Sequence, residues 1–221
     1  MVNKQYNIIN RTVNNLRWND YEKMEKTEIT VSKIIEAAMQ EFGQNGYAGG
    51  TVNSICKSGI NKGLLYHNFS GKDELYLTCL RRSSNKLIRY IREREGTDHL
   101  ENYMAARMDF FHDFPREAHI FFDALLNPPI HLSEDIRQSL ADFNALNEKI
   151  YEKTLDTLLL CDGISRADAI SYFHLLQLML NGYFSSPAFQ SATWQEKAEL
   201  HEKILPKLFD CMLYGIAKGE K

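Results

Sequence analysis

The sequence is poor in cysteine and proline and has no long apolar run. Its four cysteines are widely spaced and form no CxxC pair, which favours reduced thiols over a disulfide framework. Five prolines and twelve glycines among 221 residues argue against a loop-rich or disordered chain. No apolar run approaches the ~20 residues of a membrane helix, and the N-terminus lacks an apolar signal core. We therefore expect a cytoplasmic, globular protein without membrane contact.

Catalytic signatures are missing as well, since the sequence contains no HExxH, ExxH, GxGxxG or GxSxG. Asp109 with His112, and His119 with Asp123, place acid and imidazole on one helix face, which leaves a helical-bundle enzyme as an alternative. A di-metal bundle needs carboxylates from several helices at matched depth, and no such set stands out. We therefore interpret these residues as ion-pair partners and expect no catalytic residue, no metal and no cofactor.

Acidic residues are absent from one stretch, Thr51 to Lys72, although the whole chain has a formal net charge of -3. The stretch contains Lys57, Lys62 and His67 and ends on Lys72. A local basic island on a mildly acidic protein is typical of a nucleic-acid contact on an otherwise ordinary globular module.

The helical period dominates the chain from Glu28 onward, and no strand pattern or internal repeat is present. We expect an all-α fold with a helix-turn-helix domain at residues 27–73 and a larger helical bundle at residues 74–221. The segment 1–26 has no sustained period. It is either a basic arm that reaches DNA or a loosely docked leader, and the missing period favours the leader.

Helix boundaries follow from caps and breakers. Thr51 is expected to cap a helix that ends near Lys57, and Ser70 to cap a long helix that ends near Gly96. The bundle helices are expected at 100–114, 115–126, 133–161, 165–183 and 193–216.

Two short helices on either side of Gly59 predict a helix-turn-helix, whose second helix can enter a major groove. Leu64 and Leu65 are expected to point inward. The outer side of this second helix is predicted to carry Asn61, Lys62, Gly63, Tyr66 and His67.

The order and spacing of several elements between Lys33 and Leu77 are specific when taken together. These elements are Ala37-Ala38, Phe42, Gly46-Tyr47, Thr51, Ile55, Gly59-Ile60-Asn61-Lys62-Gly63, Leu65-Tyr66, Asn68-Phe69, Lys72 and Glu74-Leu75. In this combination the sequence resembles the tetracycline-repressor-like (TetR/AcrR) transcriptional regulators. The sequence departs from the family pattern at one place, because the segment from Ile55 to Ile60 is one residue shorter than in the family. A shorter segment here can tilt the recognition helix.

The resemblance implies a ligand-responsive DNA-binding transcriptional regulator, in the first instance a repressor that binds a palindromic operator as a homodimer. It also implies DNA contacts by Thr51, Lys62, Tyr66, His67 and Lys72. Chemistry adds that Asn61 and His67 can read base edges and that Gly63 allows close backbone approach. A partner-binding module without operator binding stays open as an alternative.

The larger domain is expected to hold an unknown small-molecule effector, because the resemblance implies an effector site and aromatic residues crowd the middle of the chain. The candidate ligand contacts are Phe110, Phe114, Phe122, Phe143, Tyr172 and His174, although each can equally be a core residue. We expect the effector to move the long helix that starts at Lys72. The last two helices are expected to form the dimer interface, through stripes made of Ile170, Phe173, Leu176, Leu180, Leu200, Ile204, Leu208 and Met212.

Overall fold

The computed structural model describes residues 27–215. The predicted arm or leader at residues 1–26 therefore lies outside the described residues, as does the end of the chain from residue 216. Within residues 27–215 every regular element is a helix, which confirms the predicted all-α class.

Ten α-helices and two 3-10 turns make up the described chain. The first helix, α1, covers residues 27–49. The others are α2 Val52–Lys57, α3 Lys62–Asn68, α4 Lys72–Arg92, α5 Leu100–Asp113, α6 Pro115–Leu126, α7 Ser133–Ser139, α8 Ala141–Leu155, α9 Arg166–Phe184 and α10 Trp194–Tyr214, with 3-10 turns at Ile130–Leu132 and Pro187–Phe189.

Side-chain caps mark the starts of four helices, α2, α3, α9 and α10. The side chain of Thr193 accepts a hydrogen bond from the Glu196 amide while the Glu196 carboxylate accepts from the Thr193 amide at 2.8 Å, the reciprocal arrangement of a capping box. The prediction for α4 was wrong by one residue. Gly71 is the N-cap, and the Ser70 amide and hydroxyl both donate to the Glu74 carboxylate instead.

The helix predicted over 133–161 is divided in two and ends earlier. Leu140 is both the C-cap of α7 and the N-cap of α8, and its backbone leaves helical geometry with φ -100° and ψ 4°. This bend lets Ile136 before it and Phe143 after it both face the core, each 5% exposed. Tertiary packing has overridden a continuous local helical preference here.

α4 is the central helix of the molecule. It packs against α5, α6, α7 and α8, while α10 packs against α5, α6 and α9. The small unit formed by α1, α2 and α3 is built around its own buried side chains, among them Ile34, Phe42, Ile55 and Leu65. We call this part, residues 27–73, the helix-turn-helix unit and the remainder the bundle. No helix among residues 27–215 is long and apolar enough to cross a membrane.

Candidate nucleic-acid interface

The turn between α2 and α3 is built by a glycine in the left-handed region. α2 starts at Thr51, whose hydroxyl oxygen accepts from the Ser54 amide at 3.0 Å. It ends at the cap Ser58, and Gly59 follows with φ +94°. Side chains disfavour this conformation whereas glycine adopts it freely. This is the turn whose segment, Ile55 to Ile60, is one residue shorter than in the resembled family. It therefore closes through a backbone conformation that only glycine adopts at low energetic cost.

α3 is held by one buried leucine and presents the rest of its surface to solvent. Asn61 caps it, because the Asn61 side-chain oxygen accepts from the Leu64 amide at 3.2 Å. Leu65 is fully buried, and Phe69, at the C-cap, is 7% exposed. The predicted contacts Asn61, Lys62, Gly63, Tyr66 and His67 all lie exposed on this helix.

The inward placement predicted for Leu64 was wrong, because Leu64 is 48% exposed. Consecutive residues of a helix point about 100° apart, so a short helix that contacts its neighbours along one line can bury Leu65 only. An exposed leucine on a groove-reading helix can contact the methyl group of thymine. Leu64 is thus a further candidate contact, and the sequence pattern did not predict it.

Two of the predicted DNA-binding residues form hydrogen bonds within the protein. The Lys62 ammonium donates to the Asn53 side-chain oxygen on α2 at 3.1 Å, which holds the lysine at the α2–α3 edge. The Thr51 amide donates to the Glu41 carboxylate at 3.1 Å. The backbone N–H of Thr51 at the start of α2 is therefore already hydrogen-bonded within the protein. The contact of Thr51 with DNA stays a prediction.

Lys72 lies at the start of α4 against an aromatic ring. Its ammonium is 4.2 Å from the centre of the Tyr47 ring, a cation–π contact. The Tyr47 hydroxyl donates to Asp73 at 2.7 Å, and burial together with this carboxylate raises the pKa of Tyr47 to about 12. The neutral phenol therefore persists at physiological pH and orients Lys72 beside α3.

α6 joins the helix-turn-helix unit to the bundle through Asp123. One oxygen of this carboxylate accepts from the Tyr47 amide at 2.7 Å and from the Tyr76 hydroxyl at 2.9 Å. Gly46 makes the approach possible: its φ is +61°, and a Cβ there would lie 2.8 Å from the Asp123 carboxylate. Asp123 thus joins three parts of the chain, because its carboxylate accepts from a backbone amide of α1 and from a buried phenol of α4.

Two further α6 side chains contact α1. Arg116 forms an ion pair with Glu36, and its side chain lies so close to Gly43 that an added Cβ would meet it at 2.2 Å. His119 Nδ1 lies 2.9 Å from the Gly43 carbonyl oxygen, and the His119 ring stacks on Trp194 of α10 at 4.5 Å. The first half of α6 therefore docks directly on α1.

These contacts explain acidic and histidine residues whose spacing had left a helical-bundle enzyme as an alternative. Asp123 and His119 bind the helix-turn-helix unit, and Asp109 lies 3.5 Å from the Arg94 guanidinium. Over residues 27–215, no group of three or more His, Cys, Asp or Glu side chains could hold a metal ion.

The six candidate ligand contacts do not line a common cavity, although the Phe110 and Phe114 rings contact each other. Phe110, Phe122 and Phe143 are buried core residues, each at most 5% exposed. Phe114 is half-buried beneath the Lys86 ammonium, whereas Tyr172 and His174 lie exposed on α9. Of the six, only Phe143 lines a described cavity, and that cavity has a volume of about 30 Å³.

Two larger cavities open elsewhere on the bundle. A groove of about 930 Å³ between α4 and α8 is lined by a mixture of cations and anions, including Arg89, Arg92, Lys149, Asp98 and Asp142. A cleft of about 380 Å³ lies between α5, α6 and α10 and is mainly apolar.

The dimer stripe predicted on α9 was wrong for three residues. Phe173, Leu176 and Leu180 are buried within the protomer, at 9% exposure or less, because α9 turns this side toward α8 and α10. The exposed side of α9 is nevertheless apolar and carries Tyr172, Leu175, Leu178, Met179 and Tyr183, each more than half exposed.

Comparison with known proteins identifies the helix-turn-helix unit. Residues 34–79 match the model of the bacterial regulatory proteins of the tetR family. The chain is 32% identical over 76 residues to the HTH-type transcriptional regulator UidR of Escherichia coli (strain K12), which covers 34% of this chain and 39% of UidR. It is 26% identical over 114 residues to IcaR, the negative transcriptional regulator of the biofilm operon icaADBC of Staphylococcus epidermidis, which covers 51% of this chain and 62% of IcaR.

Solved structures share the whole fold. The regulator FadR of Bacillus subtilis, in complex with stearoyl-CoA, superposes with a TM-score of 0.57 at 15% identity and covers 85% of this chain and 100% of its own. FadR of Bacillus halodurans gives a TM-score of 0.55 at 15% identity, with 85% and 96% covered.

The fold and the surface of α3 define a helix-turn-helix protein with a helical second domain. The match over residues 34–79 shows that the helix-turn-helix unit is similar to the bacterial regulatory proteins of the tetR family. The sequence match to UidR spans only 39% of that relative's length and leaves most of the bundle outside it.

Proposed function

We propose that the protein is a ligand-responsive transcriptional regulator that acts in the cytoplasm as a homodimer and represses by binding a palindromic operator. The observation that carries this proposal is α3, an exposed helix without acidic residues that is built into a helix-turn-helix of the tetR family. A helix presented in this way fits the major groove of DNA.

The proposed contacts divide into positioning and reading. Lys62 and Lys72 supply charge to phosphates, and Thr51 and Tyr66 supply hydroxyl groups, so these residues set affinity and register. Asn61 and His67 read base edges, and Gly63 lets the backbone approach. The Asn61 oxygen is engaged in the α3 cap, so its amide N–H groups are the donors to a base.

Leu64 adds an apolar contact that the sequence alone does not predict. Its exposure on α3 makes it suited to a thymine methyl group.

Dimerisation is supported by the exposed side of α9. Five large apolar side chains on one helix form the kind of patch that monomeric proteins seldom leave in water. A two-fold axis through the last two helices buries this patch and places two copies of α3 on half-sites about 34 Å, or a multiple of that distance, apart.

Repression and effector control are supported by the named relatives and by α4. IcaR is a negative regulator by name, and FadR of Bacillus subtilis was solved with stearoyl-CoA. α4 starts directly after α3 and packs against four bundle helices. A ligand that shifts the bundle would therefore change the spacing of the two recognition helices.

Selection of bound sequences from random DNA tests the proposal. We expect a palindromic motif whose half-sites are separated by about one turn of DNA. The double variant Lys62→Ala with Tyr66→Ala should abolish binding to that motif, and the control Lys203→Ala with Lys207→Ala, which removes exposed lysines from α10, should not. Recovery of no motif would instead support a partner-binding module, and wild-type binding by the first variant would overturn the contacts assigned to Lys62 and Tyr66.

A further inference from the structure

The cleft between α5, α6 and α10 has an apolar lining and an acidic character. Its walls include Phe111 on α5, Ala118 on α6 and Trp194 on α10. The ionisable side chains that line it are two carboxylates, Glu199 and Glu202, and one imidazole, His112, and the lining contains no lysine or arginine. With a volume of about 380 Å³, it lies in the range of small-molecule sites.

Glu202 is the buried polar group of this cleft. It is 4% exposed, and one carboxylate oxygen accepts from Arg107 at 2.7 Å and lies 3.0 Å from His201 Nδ1. The other oxygen, Oε2, is fully buried and has no hydrogen-bond partner among the described residues. Burial opposes ionisation, but Arg107 and His201 outweigh it and hold the pKa of Glu202 below its ordinary value. A buried anionic oxygen without a donor is costly, and a cation bound beside it would offset that cost electrostatically.

We propose that this cleft is the effector site of the protein and that it takes hydrophobic organic cations. The apolar walls bind the body of the ligand, and the aromatic faces of Trp194 and Phe111 attract its charge. Glu199 at the mouth and Glu202 on the floor complement that charge. The regulatory part of this inference rests on the proposed function, whereas binding in the cleft does not.

The cleft is connected to the helix-turn-helix unit by a chain of contacts. Trp194, which lines the cleft, stacks on His119 at 4.5 Å and 6° between ring planes. His119 is 2.9 Å from the Gly43 carbonyl of α1. Ala118, the preceding residue of α6, also lines the cleft. A ligand that separates α10 from α6 therefore disturbs the contact that docks α6 on α1.

This cleft is separate from the other functional surfaces of the protomer. None of the exposed apolar residues of α9 lines it, and neither does any residue of α3. The α10 residues expected at the dimer interface, Leu200, Ile204, Leu208 and Met212, do not line the cleft either, so the proposed dimer contacts and DNA contacts use none of its residues.

Binding is tested with two ions of the same shape and opposite charge, tetraphenylphosphonium and tetraphenylborate. The chain has two tryptophans, so a Trp18→Phe variant makes Trp194 the single fluorescent reporter. We expect the phosphonium to quench Trp194 fluorescence saturably and the borate to have no effect at the same concentration. Equal or tighter binding of the borate would overturn the cation assignment.

A charge reversal tests the location of the site. Glu199→Lys changes an exposed side chain in the cleft, and we expect it to weaken phosphonium binding on the order of tenfold. The control Asp210→Lys makes the same change of charge at an exposed position of α10 outside the cleft and should leave affinity unchanged. Because both sites are exposed, neither variant should alter the fold. Equal weakening by both variants would overturn the assignment to this cleft.

Coupling to DNA is measured separately. Saturating phosphonium should weaken binding of the selected operator by the wild type, and the variant His119→Ala should still bind the phosphonium while losing this response. Trp194→Leu, read by calorimetry, serves as a second variant with the same expected loss of response. Operator binding that is identical with and without bound phosphonium would overturn the coupling. If neither ion binds while the operator is still recognised, the effector assignment fails and the proposed DNA-binding function stands.

Discussion

Replacement of Asp123 by alanine is the most informative test of how the helix-turn-helix unit is held. The Asp123 carboxylate accepts from the Tyr47 amide at 2.7 Å and from the Tyr76 hydroxyl at 2.9 Å. Tyr76 is fully buried, so its hydroxyl has no access to water when the acceptor is removed. Burial and the Asp123 carboxylate also raise the pKa of Tyr76, in keeping with a phenol that stays protonated as the donor.

The expected loss follows from these two bonds. A hydrogen bond to a charged group contributes about 1.5–3 kcal/mol, and a buried donor left without a partner carries a further desolvation cost. The Tyr47 amide is only partly buried, which reduces its share. We expect Asp123→Ala to lower the free energy of unfolding by about 3–5 kcal/mol, a large part of the ~5–15 kcal/mol of a typical domain. Asp123→Asn keeps an acceptor oxygen and should lose less than half as much.

Urea denaturation followed by circular dichroism measures this loss, and a double-mutant cycle with Tyr76→Phe assigns it. Once Asp123 is alanine, removal of the Tyr76 hydroxyl should cost nothing or restore stability, which gives a coupling energy of about 1–2 kcal/mol. A loss below about 1 kcal/mol for Asp123→Ala, or additive effects in the cycle, would refute the role assigned to this carboxylate.

Four further variants test local features. Thr193→Ala removes the cap of α10, where the Thr193 side chain accepts from the Glu196 amide, and urea titration should show a loss of about 1 kcal/mol. Tyr47→Phe removes a phenol whose pKa is raised from 10.0 to about 12. The neutral phenol stabilises the fold below pH 10, and this contribution is lost as the pH rises from 10 to about 12. Between these two pH values, urea titrations should therefore show a smaller fall in the free energy of unfolding for Tyr47→Phe than for the wild type. Leu64→Ala should weaken selection of thymine in the recovered operator with stability unchanged, whereas Leu65→Ala, at a fully buried site, should cost about 2–5 kcal/mol.

Features decided by neighbouring residues were predictable from the sequence. The caps Thr51 and Thr193 and the helix start at Pro115 depend on contacts within one turn, and all three lie where predicted. The all-α class follows from a helical period that persists along the chain, and the helix-turn-helix pattern around Gly59 predicted the exposed face of α3 correctly apart from Leu64.

Features decided by tertiary contacts were not predictable. Leu140 interrupts a segment of good helical propensity because the core requires Ile136 and Phe143 together. Phe173 looks like any other member of an apolar stripe, and only packing against Tyr151, with ring centres 4.4 Å apart, identifies it as a core residue. Asp123 is 76 residues from Tyr47 in the chain, so no local pattern could connect them.

The contacts of Asp123 also sharpen how α4 can transmit a signal. The sequence predicts that the effector moves α4 and that this movement changes the separation of the two recognition helices. However, the Tyr76 hydroxyl on α4 and the Tyr47 amide on α1 donate to the same α6 carboxylate, so a shift of α4 alone would break a buried hydrogen bond. That cost is avoided if α4 and α6 move together, and Arg116 and His119 of α6 then move α1 with them. The signal therefore reaches the helix-turn-helix unit from two sides, at α3 through α4 and at α1 through α6, which favours rotation of the unit as a rigid body over displacement of α3 alone.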